Sequence, residues 1–357
     1  MNQERYHRQI ILSGFGLEAQ EELSRSKVIV IGAGGLGVPV LTYLNAMGVG
    51  TLAFVDSDSV SLTNLHRQVL YSEADVGRFK VDVAFEKLKA QNSETEVIAH
   101  NTFLNKQNVL QLIADYDVII DASDNFPTRY LINDACVILK KPLVHGALHG
   151  FEGQVSVFNY QDGPTYRCLF PKMPKFDEIP DCNDNGVLGI LPGIIGNLQA
   201  LEAIKVLTGV GEVLSGKLLI FDGSSTTFRK IRFEAKPENL GMDTLRSDYE
   251  FLCSTDIGTI DAETFLRMSE NASLQLIDVR TQKEFMRNHL LDAKNIPLSD
   301  LKTRQNEINF NTMVYVVCQS GIRSKKAIDQ LLKVRPDSQF INLKGGMNQI
   351  QKHGVAN

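Results

Sequence analysis

Val28-Ile-Val-Ile31 runs directly into Gly32-Ala-Gly-Gly-Leu-Gly37, and residues 38–47 follow with helical character. A continuous β-branched run is the pattern of a strand buried on both faces, as in a parallel sheet. Glycines between such a strand and a helix let the backbone turn tightly and approach a phosphate, whose charge the helix N-terminus favours. Residues 51–55 (TLAFV) read as the next strand and end in Asp56, an acceptor for ribose hydroxyls. Residues 117–120 (DVII) form a later strand before Asp121, and Leu143-Val144 opens another near His145. Strands alternating with helices predict a doubly wound α/β sheet, with its ligand beyond the carboxyl ends of the strands.

At 357 residues the chain is too long for one ordinary core, so two domains are expected. Between residues 232 and 259 the periodicity fades among charges, Pro237 and Gly241, which sets a first domain at 1–235, a linker at 236–258 and a second domain at 259–357. In the second, residues 274–279, 312–317 and 340–343 read as strands and 324–334 as a helix, giving a smaller α/β domain. A net charge of -5 argues against nucleic acid, whose phosphates need a basic surface. The longest apolar stretch, 186–207, is broken by Pro192, Asn197, Gln199, Glu202 and Lys205, so it reads as a buried loop and helix rather than a membrane span. With a polar N-terminus and no signal-peptide core, a cytoplasmic location is expected. The five cysteines (Cys136, Cys168, Cys182, Cys253, Cys318) form no close pair, which fits a reducing compartment and leaves any special role to single thiols.

The glycine turn alone also marks NAD enzymes, and Asp56 would serve either ligand. Charge discriminates between them. An ATP triphosphate that gives up pyrophosphate needs several cations, and Arg67, Lys80 and Arg8 can supply them. Asp124, just past a strand end in Asp121-Ala-Ser-Asp-Asn125, is placed for magnesium.

These stretches resemble the MoeB/ThiF family, related to the adenylating domains of ubiquitin-activating enzymes. The match runs from Arg5-Tyr-His-Arg8 through the glycine turn, Asp56 to Arg67-Gln68, Lys80, Ser123-Asp124-Asn125 and Tyr166-Arg-Cys-Leu-Phe170 to Leu191-Pro-Gly and Lys205. The resemblance implies a Rossmann-like adenylating fold in which Gly35 and Asp56 hold the adenosine, Asn64, Arg67 and Lys80 the phosphates, and Asp124 magnesium. Arg8 would reach the ATP site of the other subunit of a homodimer. The implied substrate is a small ubiquitin-like sulfur-carrier protein ending in Gly-Gly, whose carboxylate attacks the α-phosphate to give an acyl-adenylate and pyrophosphate.

Many members of the family hold a structural zinc with two C-x-x-C pairs. Here those positions read Thr165-Tyr-Arg-Cys168 and Asn239-Leu-Gly-Met242, so no zinc is expected. Cys182, in Asp181-Cys-Asn-Asp-Asn-Gly, stands where relatives have a cysteine that bonds the carrier.

In the second domain, Cys318-Gln-Ser-Gly-Ile-Arg323 lies between a strand and a helix. Backbone N–H groups of such a loop, the helix dipole and Arg323 would lower a thiol pKa from its reference of about 8.5 and suit an anionic persulfide. With Leu276-Ile-Asp-Val-Arg280, Glu284-Phe285, His289, Asn295-Ile-Pro297 and Leu343-Lys-Gly-Gly-Met347, this half resembles a single-domain rhodanese in which Asp278 and Arg280 brace the loop. The two halves together imply an adenylyltransferase that is also a sulfurtransferase. Its sulfur would come from a donor such as a cysteine desulfurase or thiosulfate, and the product would be a carrier thiocarboxylate for molybdopterin, thiamine or a related pathway. Rival readings are an NAD-dependent oxidoreductase fused to a sulfurtransferase, which leaves Arg67, Lys80 and Asp124 without a role, and a scaffold that binds carrier without consuming ATP.

Overall fold

A computed structural model of the chain describes residues 1–174, 186–246, 249, 257–269 and 274–352. They form two compact units. The first contains strands β1 (Lys27–Ile31), β2 (Thr51–Asp56), β3 (Glu96–Asn101), β4 (Val118–Asp121), β5 (Leu143–His149), β6 (Glu152–Phe158), β7 (Lys217–Asp222) and β8 (Thr227–Arg232). Its helices are α1 (Gln3–Ile10), α2 (Gly16–Arg25), α3 (Gly37–Met47), α4 (Lys80–Gln91), α5 (Val109–Ile113), α6 (Phe126–Leu139), α7 (Tyr166–Leu169) and α8 (Leu191–Thr208).

The eight strands lie in the order β3-β2-β1-β4-β5-β6-β7-β8. From β3 to β5 they are parallel, with Val28 opposite both Leu52 and Val118, and from β5 onward each pairing is antiparallel. Strand order reverses between β1 and β4, and this reversal opens the crevice in which such sheets bind ligands. The strand alternation sorts the core. Val28, Val30, Leu52, Phe54 and Ile120 pack on one face with α3 and α8, while Ile29, Ile31, Val55 and Ile119 pack on the other with α6. Burying each such side chain contributes roughly 1.5–3 kcal/mol, which explains why both faces need apolar residues.

Helix ends follow the local chemistry. The Asn125 side chain accepts from Thr128 N at 3.0 Å and so caps α6, which carries Pro127 in its first turn. The helix expected in the 186–207 stretch is α8, which buries Leu191, Ile195, Ala200 and Ile204, but the loop before it is not buried as expected: Leu188 and Ile190 are exposed. Among the described residues no helix is long and apolar enough to cross a membrane.

The second unit has strands β9 (Gly258–Ile260), β10 (Gln275–Asp278), β11 (Lys294–Asn295), β12 (Val314–Val317) and β13 (Phe340–Leu343), all parallel, in the order β11-β10-β12-β13-β9. Helices α9 (Ala262–Ser269), α10 (Gln282–Arg287), α11 (Leu301–Arg304), α12 (Ile322–Val334) and α13 (Gly346–Lys352) cover both faces.

The segment expected as a linker, 236–258, is partly built into the first unit. Lys236 N donates to Cys168 Sγ at 3.3 Å, Thr165 Oγ1 donates to the Asn239 carbonyl at 3.2 Å, and the Tyr249 hydroxyl donates to Asp134 at 2.8 Å. Hydrogen bonds of this kind depend on partners far away in sequence, so the charged composition that suggested a linker does not reveal them. The Thr165–Asn239 bond joins the two stretches in which relatives' zinc ligands were sought.

Candidate functional site

The glycine turn is held from both sides. Gly32 N donates to the Val55 carbonyl and Ala122 N to the Ile31 carbonyl, so β2 and β4 clasp the end of β1. Gly32 has φ +106°, and a Cβ there would lie 2.7 Å from the Ala122 carbonyl oxygen. A Cβ at Gly37 would fall inside the Gly32 carbonyl group itself. Gly35 faces Pro192 of α8 and the Arg67 side chain, and its missing Cβ keeps that gap open.

Around this turn the structure gathers six of the expected residues. Asp56 Oδ2 accepts from Ala33 N and Oδ1 from Asp58 N, both at 2.8 Å. Lys80 begins α4 with its ammonium buried, 2.9 Å from Asp58 and 3.9 Å from Asp56. Burial pushes the Asp56 carboxyl above its ordinary value, and the Lys80 charge works against that. Arg67 Nη2 donates to Asn64 Oδ1 at 2.9 Å, while Nη1 lies 2.7 Å from His66 Nε2. Burial pulls the Arg67 guanidinium below its ordinary value, opposed by the Asp124 charge. Asp124 is exposed just past β4. Arg8 is exposed on α1, and among the described residues no contact links it to this cluster. Cys182 lies outside the described residues.

The arrangement is a turn of backbone N–H groups with two half-buried or buried cations and one exposed carboxylate at the rim, which could receive a phosphate-sized anion. Among the described residues no group of three His, Cys, Asp or Glu side chains converges as a metal cage. A magnesium ion does not require one, because it binds through one or two carboxylates plus substrate phosphates.

In the second unit, Cys318 directly follows β12 and is fully buried. Its Sγ accepts from Gly321 N at 3.1 Å, and Gly321 supports that turn with φ +87°. Arg280, buried and tied to Asp278 at 2.7 Å, reaches the loop by donating Nη1 to Gln319 Oε1 at 3.1 Å. Bracing by Asp278 and Arg280 is therefore visible in the geometry. Arg323 turns its guanidinium fork to Glu284, with Nη2 at 2.6 Å and Nη1 at 2.9 Å. Burial tends to raise the Glu284 carboxyl, but this fork and the Thr281 hydroxyl outweigh it and hold it down at about 2.

The ThiF family profile matches residues 6–242. The chain belongs to the ThiF family. A rhodanese-like domain matches residues 261–353, so the order of the two domains is as the sequence implies. The adenylyltransferase and sulfurtransferase MOCS3 of Culex quinquefasciatus is 43% identical over 357 aligned residues, spanning 92% of this chain and 81% of that protein. The maize protein named adenylyltransferase and sulfurtransferase MOCS3-2 is 39% identical over 96% of this chain and 78% of its own. Among solved structures, E. coli MccB superimposes with a TM-score of 0.60 at 22% identity, covering 69% of this chain and 75% of its own, which shows the shared fold. The chain is an enzyme of the adenylyltransferase and sulfurtransferase class.

Within the ThiF-family domain, two further residues near these groups received no role from the sequence. Gln68 is buried beside Gly34, and its Oε1 has no hydrogen-bond partner among the described residues. Arg129 of α6 donates to the Ser123 carbonyl at 3.2 Å, while its buried Nε also lacks a partner among the described residues. Unsatisfied buried polar atoms are costly, so each is a natural point for a water or ligand contact. In the sequence, Gln68 stands in the Arg67-Gln68 stretch of the resemblance, and Arg129 follows Asn125 by four residues.

Proposed function

We propose that the first unit adenylates the C-terminal carboxylate of a small ubiquitin-like carrier ending in Gly-Gly, and that the second passes sulfur to it from a Cys318 persulfide. What chiefly supports the reading is the set of groups at the glycine turn. Arg67 and Lys80 stand ready for a polyanion, and Asp124 can share magnesium with the phosphates, an ion that would offset charge on the departing pyrophosphate. Asn64 orients Arg67, Gly35 leaves room above Pro192, and Asp56 receives the ribose hydroxyls. The carrier carboxylate attacks the α-phosphorus, the bond to the β-phosphate oxygen breaks, and an acyl-adenylate forms.

The persulfide's outer sulfur then attacks the activated carbonyl and AMP leaves. A thiol attacking the inner sulfur releases the carrier thiocarboxylate and takes the disulfide bond onto itself. Arg8 is proposed to act across a homodimer, and Cys182 as a thiol that bonds the carrier. Cysteine desulfurases and thiosulfate have the chemistry to load Cys318. The test is ATP–pyrophosphate exchange by the full chain with a Gly-Gly-ended carrier and with one lacking the terminal glycine. Exchange that is indifferent to the carrier terminus would rule out the reading.

A further inference from the structure

Cys318 Sγ has a second neighbour besides the Gly321 N–H: the hydroxyl of Ser324, with Oγ at 3.3 Å. Ser324 lies in the first turn of α12, fully buried. The same Oγ lies 2.5 Å from Oδ1 of Asn342 on β13, itself buried. A serine hydroxyl carries a single hydrogen, so it can serve the sulfur or the amide but not both at once.

Which partner receives it depends on the state of the sulfur. A neutral thiol brings its own hydrogen and donates to Ser324 Oγ, which leaves the hydroxyl for Asn342. A thiolate has no hydrogen and accepts strongly, so the hydroxyl turns to Sγ. Of the charged groups around the loop, Arg280 pairs with Asp278 on β10 and Arg323 with Glu284 on α10. Lys325 and Lys326 follow on α12, and Lys344 follows β13. Among the described residues, the side-chain donor within hydrogen-bond distance of the sulfur is the neutral Ser324 hydroxyl, which can reorient.

We propose that Ser324 is a positioning residue that stabilises Cys318 as a thiolate, and that Asn342 sets how readily Ser324 releases its hydrogen. This inference rests on the reading of Cys318 as the sulfur carrier. In loading from thiosulfate, the thiolate attacks the outer sulfur, the new S–S bond forms, and sulfite leaves with the electron pair of the broken bond. In discharge to cyanide, carbon bonds to the outer sulfur and the S–S electron pair returns to Sγ. Cys318 is a thiolate at the start of one step and at the end of the other, and Ser324 supports both.

The experiment measures alkylation of Cys318 by iodoacetamide against pH in the full chain, followed on the Cys318 peptide by mass spectrometry. Ser324→Ala should move the midpoint up by about one pH unit, the tenfold change expected for one lost hydrogen bond to the anion. It should slow persulfide discharge to cyanide by about tenfold, with the thiosulfate KM unchanged. Ser324→Thr restores both. Asn342→Leu, close in size but without an acceptor, frees the hydroxyl for sulfur and should move the midpoint down. Packing damage does not predict opposite signs, and if Ser324→Ala does not fold, the other two variants decide. A Ser324→Ala midpoint equal to wild type, or an Asn342→Leu shift upward, overturns the proposal. Alkylation needs no sulfur loading, so it judges Ser324 alone. Wild-type protein that gains no sulfur on Cys318 from thiosulfate or a persulfide donor would instead refute the carrier reading.

Discussion

Asp56 accepts a hydrogen bond from the backbone of Ala33 at 2.8 Å, which fastens the end of β2 to the middle of the glycine turn. The same carboxylate faces Lys80 at 3.9 Å. One side chain thus shapes the turn and balances the cation proposed to meet phosphate. Asp56→Ala is expected to raise the KM for ATP in pyrophosphate exchange by about 10- to 100-fold, since hydrogen bonds to charged groups contribute about 1.5–3 kcal/mol. An unchanged KM would detach Asp56 from the nucleotide.

Arg67 is the cation with the best claim to the departing phosphates. Arg67→Ala should slow carrier-dependent exchange by at least about 100-fold, the usual effect of removing a group that meets transition-state charge. Exchange at the wild-type rate in this variant would overturn the assignment.

Cys318→Ser separates the two chemistries. Serine fits the loop, but its alkoxide is inaccessible near neutral pH and forms no persulfide. Pyrophosphate exchange should stay at its wild-type level while thiocarboxylate yield, read by mass spectrometry of the carrier, falls to background. Undiminished thiocarboxylate would leave the second unit a docking or regulatory part.

Asp134 is a structural anchor. It is fully buried, takes Arg167 through both carboxylate oxygens (Nε at 2.6 Å, Nη2 at 2.7 Å) and also accepts from Tyr249. Asp134→Ala leaves the buried Arg167 uncompensated and should cost about 3–5 kcal/mol in denaturant unfolding of the first unit. A loss below ~1 kcal/mol would mean that Arg167 finds another partner or water.

The Glu284–Arg323 pair should make the second unit sensitive to acid. The folded carboxyl sits at about 2, below its ordinary 4.5, so its contribution is complete above about pH 5 and fades as pH falls toward 2. Wild type should therefore melt above Glu284→Gln near neutrality, and the gap should close on acidification through that window. A gap of constant size from pH 7 to about 3 would show that the pair does not act through this charge.

The central strands were legible because burial on both faces forces unbroken apolar runs. Residues 28–31 and 340–343 read as strands and lie in β1 and β13. Strand β8 was not legible. Its TFRKIR sequence is exposed along its whole length and gives no burial signal. The six residues gathered at the turn were named from motif order: Gly35, Asp56 and Asp124 lie at or just past a strand end, whereas Asn64, Arg67 and Lys80 lie on the connection from β2 into α4. Gln68 and Arg129 were not, because their interest lies in an unpartnered atom that only packing reveals. Arg323 shows a third limit. Sequence placed its charge at the sulfur, whereas its fork is held by Glu284, 39 residues earlier in the chain.

The contact between Gly37 and the Gly32 carbonyl has a consequence for inheritance. Every single-nucleotide change that alters a glycine codon's amino acid adds at least one carbon or ends the chain, and at Gly37 that carbon has nowhere to go. Random mutagenesis with selection for carrier activation should therefore leave this position blank in the surviving library, while exposed β8 accumulates changes freely. The shape of one turn would be written as a gap in the spectrum of viable alleles.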